Sequence, residues 1–139
     1  MRRVGAAVVF ASVALVGTTI VVDGQATKGG NATAAAVKNP VSPTAASINK
    51  GRQAYMKACR HCHGPNGLGD GNLAPKNPSP ANLTDAEWKY GSSDGEIFAI
   101  ISNGVGGDSE MKGVRSEMTT TDMWNIVNYI RSIGPQPAK

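Results

Sequence analysis

The sequence predicts an all-α domain with about three main helices and one long loop. Three segments repeat apolar residues at spacings of three and four, and each is bounded by helix-capping residues. No segment shows the alternation of apolar and polar residues that is typical of a half-buried strand. Seventeen glycines and eight prolines among 139 residues indicate long connections. Since only 5% of the residues are aromatic, a metal or a large cofactor would help to stabilise so small a core.

Residues 1–26 form either a signal peptide or an N-terminal membrane anchor. Arg2 and Arg3 precede an uncharged run from Val4 to Val22, which Asp23 ends. A secretory signal has this order, and Gly24-Gln25-Ala26 offers a small-residue cleavage site. However, a run of this length can also span a bilayer as a helix. Since both alternatives export the remainder, we expect a periplasmic protein, soluble or N-terminally anchored.

Residues 27–46 predict a flexible linker, because "TKGGNATAAAVKNPVSPTAA" is small, polar and without an apolar period. The folded domain is expected over residues 47–139. Its first helix is "SINKGRQAYMKAC", with Ser47 as N-cap. Gly51 would weaken this helix, so its presence predicts a close crossing by another element.

Both cysteines and both histidines of the chain lie in Cys59-Arg60-His61-Cys62-His63. C-x-x-C-H is the attachment pattern of c-type haem. Thiols at i and i+3 lie on one face of a helical turn, where they can add to the two vinyl groups as thioethers. The next residue, His63, then points to the iron from the same side.

Three other interpretations of this motif compete. A dithiol redox site of the thioredoxin type needs a βαβ pattern, which the sequence lacks. A structural zinc site needs four ligands, usually as two separated pairs. A disulfide across two residues closes a very small loop and stabilises little. The export signal and the helical context favour one haem c, with Cys59 and Cys62 as thioethers and His63 as proximal iron ligand.

Two more helices follow an irregular loop over residues 64–91, a length that is uncommon unless the loop is functional. The second helix is "SDGEIFAIISNG", with a capping box from Ser93 and Glu96. The last is "TTTDMWNIVNYIRSIG", capped by Thr119 with Asp122. Its apolar face is supplied by Met123, Trp124, Val127, Ile130 and Ile133.

An iron bound by His63 needs a second axial ligand or has an open position. No histidine lies outside the motif, so the candidates are methionines. Met56 precedes the motif on the same helix and cannot reach the opposite face of the haem. Met123 lies inside the last helix and fits a core position. Met111 and Met118 remain, both in the loop before that helix.

In this order, the motifs resemble those of class I monohaem cytochromes c, especially small exported bacterial ones. The resemblance covers about Ser47 to Ile133. The matching stretches are Gly51 with Tyr55, "CRHCHG", "GLGDG", "PANLTD", "DGEIFAIISNGVGG", a Met and "DMWNIVNYIRSI". The resemblance implies the cytochrome c-like fold, with N- and C-terminal helices crossing and the haem enclosed by helices and loops.

The resemblance also implies which methionine binds the iron. In that family the axial methionine stands in an "MPxF" stretch at a set spacing before the last helix. Met111 has this spacing and is the first choice, with Met118 second. The sequence departs from the family at two positions, because Lys112 replaces the proline and Val114 replaces the phenylalanine.

Two contacts of the fold follow from the same resemblance. A glycine of the first helix meets an aromatic residue of the last, which maps to Gly51 with Tyr129 or Trp124. A proline carbonyl accepts a hydrogen bond from the haem histidine, and Pro75 or Pro80 could supply it.

We therefore predict an electron carrier rather than an enzyme. It would exchange single electrons with exported or membrane redox proteins that dock at the exposed haem edge near Cys59 and Cys62. From Lys50 onward, ten Lys and Arg face nine Asp and Glu without a basic stripe, so nucleic acid is not expected as a partner. One alternative is a five-coordinate haem enzyme or gas sensor. The other is a membrane-tethered electron-transfer subunit of a larger complex, which requires the Val4–Val22 run to be retained.

Overall fold

A computed structural model describes residues 29–135 and contains five helices in this range. They are α1 (Ala32–Ala35), α2 (Ala45–Ala58), α3 (Arg60–His63), α4 (Asp94–Asn103) and α5 (Thr120–Ile133). The all-α prediction is confirmed, since the only β-pairing in the described range is one isolated bridge. None of these helices is long and apolar enough to cross a membrane. The predicted signal peptide or anchor lies outside the described residues.

The two long helices α2 and α5 cross at Gly51. A β-carbon on Gly51 would overlap the carbonyl oxygen of Asn125 and would lie 3.0 Å from Cβ of Tyr129. One turn later, the ring of Tyr55 packs against that of Tyr129, with 5.1 Å between centroids. The predicted close crossing is confirmed, and Tyr129 is the aromatic partner.

The core lies between α2, α4 and α5. From α4, Ile97 and Ile101 are buried, whereas Ile100 is half-buried. The ring of Phe98 stacks on that of Trp124 at 4.0 Å between centroids. Four of the five apolar residues predicted for α5 are buried, namely Met123, Trp124, Val127 and Ile130.

The start of α2 differs from the prediction by one turn. Thr44, not Ser47, is the N-cap, and its side-chain oxygen accepts a hydrogen bond from the N–H of Ser47 at 3.2 Å. Ser47 is buried inside the first turn, where its hydroxyl donates to the carbonyl of Ser42 at 2.8 Å. Since Ser and Thr are both good N-caps, local sequence did not distinguish the two starts.

We name residues 29–44 the N-terminal strap. They pack against α4 and α5, whereas the sequence predicted a flexible linker in this region. The N–H of Asn31 donates to Glu96 Oε1 at 2.8 Å. Asn39 Nδ2 donates to Asn128 Oδ1 at 2.8 Å, and Asn128 Nδ2 donates to the carbonyl of Val41 at 3.0 Å. The side chains of Glu96, Asn39 and Asn128 thus hold a segment that has no apolar period of its own.

Candidate haem site

The C-x-x-C-H motif lies in the tight turn that follows α2. Cys59 is the C-cap of α2, and its carbonyl accepts hydrogen bonds from the N–H groups of Cys62 at 3.2 Å and His63 at 2.9 Å. Both cysteines are free thiols and half-buried. Burial, with the neighbouring Cys62 adding to it, raises the pKa of Cys59 to about 12. The turn therefore presents two reduced sulfurs one helical turn apart.

The imidazole of His63 is oriented by one backbone carbonyl. Its Nδ1 lies 3.0 Å from the oxygen of Ala81, so Nδ1 carries the proton and Nε2 keeps a free lone pair. Burial lowers the pKa of His63, and the hydrogen bond to Ala81 offsets this only in part. Neutral imidazole is the form that binds a metal.

The resemblance implied that a proline carbonyl accepts this hydrogen bond. This expectation was wrong, because neither Pro75 nor Pro80 supplies it. The oxygen of Pro80 faces Gly69 instead, and a β-carbon on Gly69 would lie 2.6 Å from it. The carbonyl one residue further on, that of Ala81, turns to His63. The role that the resemblance implies is filled, but by a residue without a fixed φ.

The glycine-rich stretch after the motif folds back onto it. The N–H of Gly69 donates to the carbonyl of His63 at 2.9 Å, and that of Gly71 donates to the carbonyl of Cys62 at 3.0 Å. A β-carbon on Gly71 would overlap the carbonyl oxygen of His61. Glycine at these positions therefore allows two backbone segments to approach closely enough to hold the turn in place.

Tyr55 supports the turn from the core side. It is fully buried, and its hydroxyl donates to the carbonyl of Gly64 at 2.7 Å, directly after His63. Burial raises the pKa of Tyr55, with smaller contributions from Cys59, Tyr129 and Asp70. In the sequence, Tyr55 stood out only beside Gly51 in the family resemblance, and nothing local indicated this hydrogen bond.

The two candidate distal ligands lie in the loop between α4 and α5. Met118 is half-buried and packs against the core cluster. Met111 is half-buried as well but is not among the residues that pack against that cluster. Met111 is thus the methionine of this loop that the core does not use, and its role as a ligand stays a prediction.

The donor set fits a c-type haem. It combines two reduced thiols with a neutral imidazole whose Nε2 is free, and a loop-rich segment surrounds them. Over residues 29–135, no three side chains of His, Cys, Asp or Glu converge as ligands for a single metal ion.

Fold and donor set together define a monohaem c-type cytochrome, the class that carries single electrons. Residues 46–130 match the family model described as "Cytochrome C oxidase, cbb3-type, subunit III". The chain belongs to this family, and it has one covalently bound haem c.

Comparisons with individual proteins agree with this assignment. The chain is 35% identical over 88 residues to the Cbb3-type cytochrome c oxidase subunit FixP of Azorhizobium caulinodans. The aligned residues cover 63% of this chain and 28% of that protein. Cytochrome cL of Hyphomicrobium denitrificans is similar in structure, with a TM-score of 0.57 and 26% identity over 72% of this chain and 54% of that one. A reducing HAO-like protein complex of Kuenenia stuttgartiensis gives a TM-score of 0.62 and 26% identity over 71% of this chain and 50% of that one. The chain spans less than a third of the length of the curated relatives it matches.

Proposed function

We propose that this protein carries single electrons between exported redox partners, with Cys59 and Cys62 as the haem thioethers, His63 as proximal ligand and Met111 as distal ligand. The observation that carries the proposal is the 3.0 Å contact of His63 Nδ1 with Ala81, which leaves Nε2 free beside two reduced thiols. Haem supplies the one-electron chemistry when bound. The protein holds both axial ligands in place, so that little rearranges when the electron moves.

A thioether ligand suits this role. Methionine favours ferrous iron and raises the reduction potential relative to a second imidazole. A six-coordinate iron also has no free position for a substrate, which makes a carrier rather than an enzyme the better description. Partners would dock at the haem edge near Cys59 and Cys62 through a small and transient contact.

Visible spectra of the purified haem protein, oxidised and reduced, test the ligand set. We expect the weak red-edge band of methionine-to-iron ligation in the ferric protein and only weak binding of CO to the ferrous protein, because CO has to displace the methionine. Met111→Ala should abolish the band and bind CO readily, whereas the volume-conserving Met118→Leu should leave both unchanged. A wild-type protein that lacks the band and binds CO readily would instead be a five-coordinate haem enzyme or gas sensor.

The second candidate is a membrane-tethered electron-transfer subunit of a larger complex. It is favoured by the family match to an oxidase subunit and by the uncharged run Val4–Val22. Mass spectrometry of the mature protein distinguishes the two candidates. A chain that begins near Thr27 would be a released periplasmic carrier, whereas one that retains Arg2 and the uncharged run would be tethered.

A further inference from the structure

The segment that carries Met111 pairs with the end of α4 at Gly104, where the backbones are too close for a side chain. Gly104, the C-cap of α4, has φ +79 and forms the isolated antiparallel bridge with Lys112. A β-carbon on Gly104 would lie 2.5 Å from the carbonyl oxygen of Met111. That same oxygen accepts a hydrogen bond from the N–H of Val105 at 3.1 Å. The backbone on the N-terminal side of Lys112 is therefore held directly against the helix end.

A second set of contacts holds the other side of Lys112. A β-carbon on Gly113 would overlap the carbonyl oxygen of Ser102. The N–H of Val114 donates to the carbonyl of Ile101 at 2.9 Å. Arg115 adds a side-chain contact, since its guanidinium donates to Asn103 Oδ1 at 2.9 Å. The segment thus meets the last turn of α4 on both sides of Lys112.

One further hydrogen bond acts on Met111 itself. Its N–H donates to the hydroxyl of Ser109 at 3.1 Å, and the ammonium of Lys112 donates to the carbonyl of the same serine at 3.0 Å. The backbone N–H and carbonyl of Met111 both have hydrogen-bond partners, and so does the next residue, Lys112. Its backbone orientation is consequently restrained by hydrogen bonds within the protein.

We infer that this clamp, formed by Gly104, Gly113 and Ser109 around Met111, positions the methionine as distal ligand. The inference rests on the proposed ligand role of Met111. A proline at position 112 would fix φ locally, and Lys112 has no such restriction. The clamp restricts the same backbone through contacts with α4. A ligand is held accurately only when the residues behind it are themselves fixed.

Gly113→Ala tests the clamp, and Ser116→Ala is the control, because Ser116 is exposed and uncharged and lies in the same loop. We expect Gly113→Ala to weaken the red-edge band, to lower the reduction potential and to raise the apparent affinity of the ferrous protein for CO about tenfold, because CO binds only the fraction in which methionine is detached. Ser116→Ala should retain the wild-type band, potential and CO affinity.

Two results separate the clamp from the ligand assignment. If Gly113→Ala keeps its haem, helical content, band and potential while Met111→Ala loses the band, the clamp is wrong and the ligand assignment stands. If Met111→Ala keeps the band, both fail. Should Gly113→Ala not fold, Ser109→Ala and Arg115→Gln each remove one side-chain hydrogen bond with less disturbance. An unchanged potential in both of these variants would also overturn the clamp.

Discussion

At the scale of single residues, Glu96 shows how a capping side chain can have a second role. It is only 8% exposed, and its carboxylate accepts hydrogen bonds from the N–H of Ser93 at 2.9 Å and from the N–H of Asn31 at 2.8 Å. Burial alone would raise the pKa of Glu96, but the hydrogen bonds from Ser93 and Asn31 outweigh it, and the pKa is lowered. One carboxylate therefore caps α4 and also holds the N-terminal strap.

Replacing this charge should weaken the domain in a pH-dependent way. We expect Glu96→Gln to lower the free energy of unfolding at neutral pH by about 1.5–3 kcal/mol, the range for hydrogen bonds to a charged group. Since the pKa is lower in the folded than in the unfolded state, the carboxylate's contribution is complete above the unfolded pKa and is lost as pH falls through the folded pKa. Urea unfolding at neutral and acidic pH measures this. Glu87→Gln, at an exposed site, is the control, and a pH-independent difference would contradict the assignment.

The hydroxyl of Tyr55 gives a second prediction at this scale. Tyr55→Phe keeps the ring packing with Tyr129 and removes only the hydrogen bond to the carbonyl of Gly64. We expect a loss of about 1–2 kcal/mol in the free energy of unfolding, because a buried acceptor loses a partner. Tyr90→Phe is the matched control, since its hydroxyl makes no hydrogen bond within residues 29–135. Equal denaturant midpoints for the two variants would show that the hydroxyl contributes nothing.

At the scale of helices, local capping contacts predicted the starts of α4 and α5 but not that of α2, where Thr44 and Ser47 are both good N-caps. Ser93 with Glu96 and Thr119 with Asp122 define the starts of α4 and α5, and both caps occur as predicted. The strap was not predicted, because its contacts join residues far apart in sequence, such as Asn31 with Glu96 and Asn39 with Asn128. A segment without apolar periodicity gives no local sign that distant side chains will hold it.

Gly51 tests the packing of α2 on α5. Alanine is the better helix former by about 1 kcal/mol, so Gly51→Ala would stabilise an isolated helix. In the domain, the added methyl group would overlap the backbone carbonyl of Asn125, which cannot rotate away as a side chain could. Since overpacking costs about 1–3 kcal/mol, we expect a net loss of stability in thermal unfolding. Arg52→Ala, at an exposed position of the same helix, should change the midpoint little; a stabilised Gly51→Ala variant would mean that the helices separate easily.

At the scale of the whole molecule, the haem site divides into parts that sequence could predict and parts that it could not. The thiols and His63 come from five consecutive residues, so their spacing alone indicates the cofactor. Ala81 lies 18 residues from His63, and only the course of the intervening loop decides which carbonyl reaches the ring. "PANLTD" was already a matching stretch, and this was the available signal. The position of Met111 depends on how a separate loop packs against α4.

The contrast between the loop of residues 64–91 and the α2–α5 core predicts how the molecule responds to loss of its haem. Residues 64–91 contain no helix, and Leu68 and Leu73 in this loop are 48% and 66% exposed in the protein alone. The α2–α5 crossing has its own buried core, including Tyr55, Ile126 and Val127. A ligand that binds only the folded state stabilises it, so protein produced without haem attachment should melt at least about 10 °C lower.

Hydrogen exchange locates that effect within the chain. In the haem-free protein we expect fast exchange of the amides at Gly69, Gly71 and Leu73, which hold the loop against the motif. Amides in the middle of α2 and α5 should stay protected, because the two helices pack directly on each other at Gly51 and through the rings of Tyr55 and Tyr129. The haem protein measured in the same buffer is the control. Equal protection of the loop amides in both forms would mean that the polypeptide alone fixes the loop, and that the haem is not needed to order its own site.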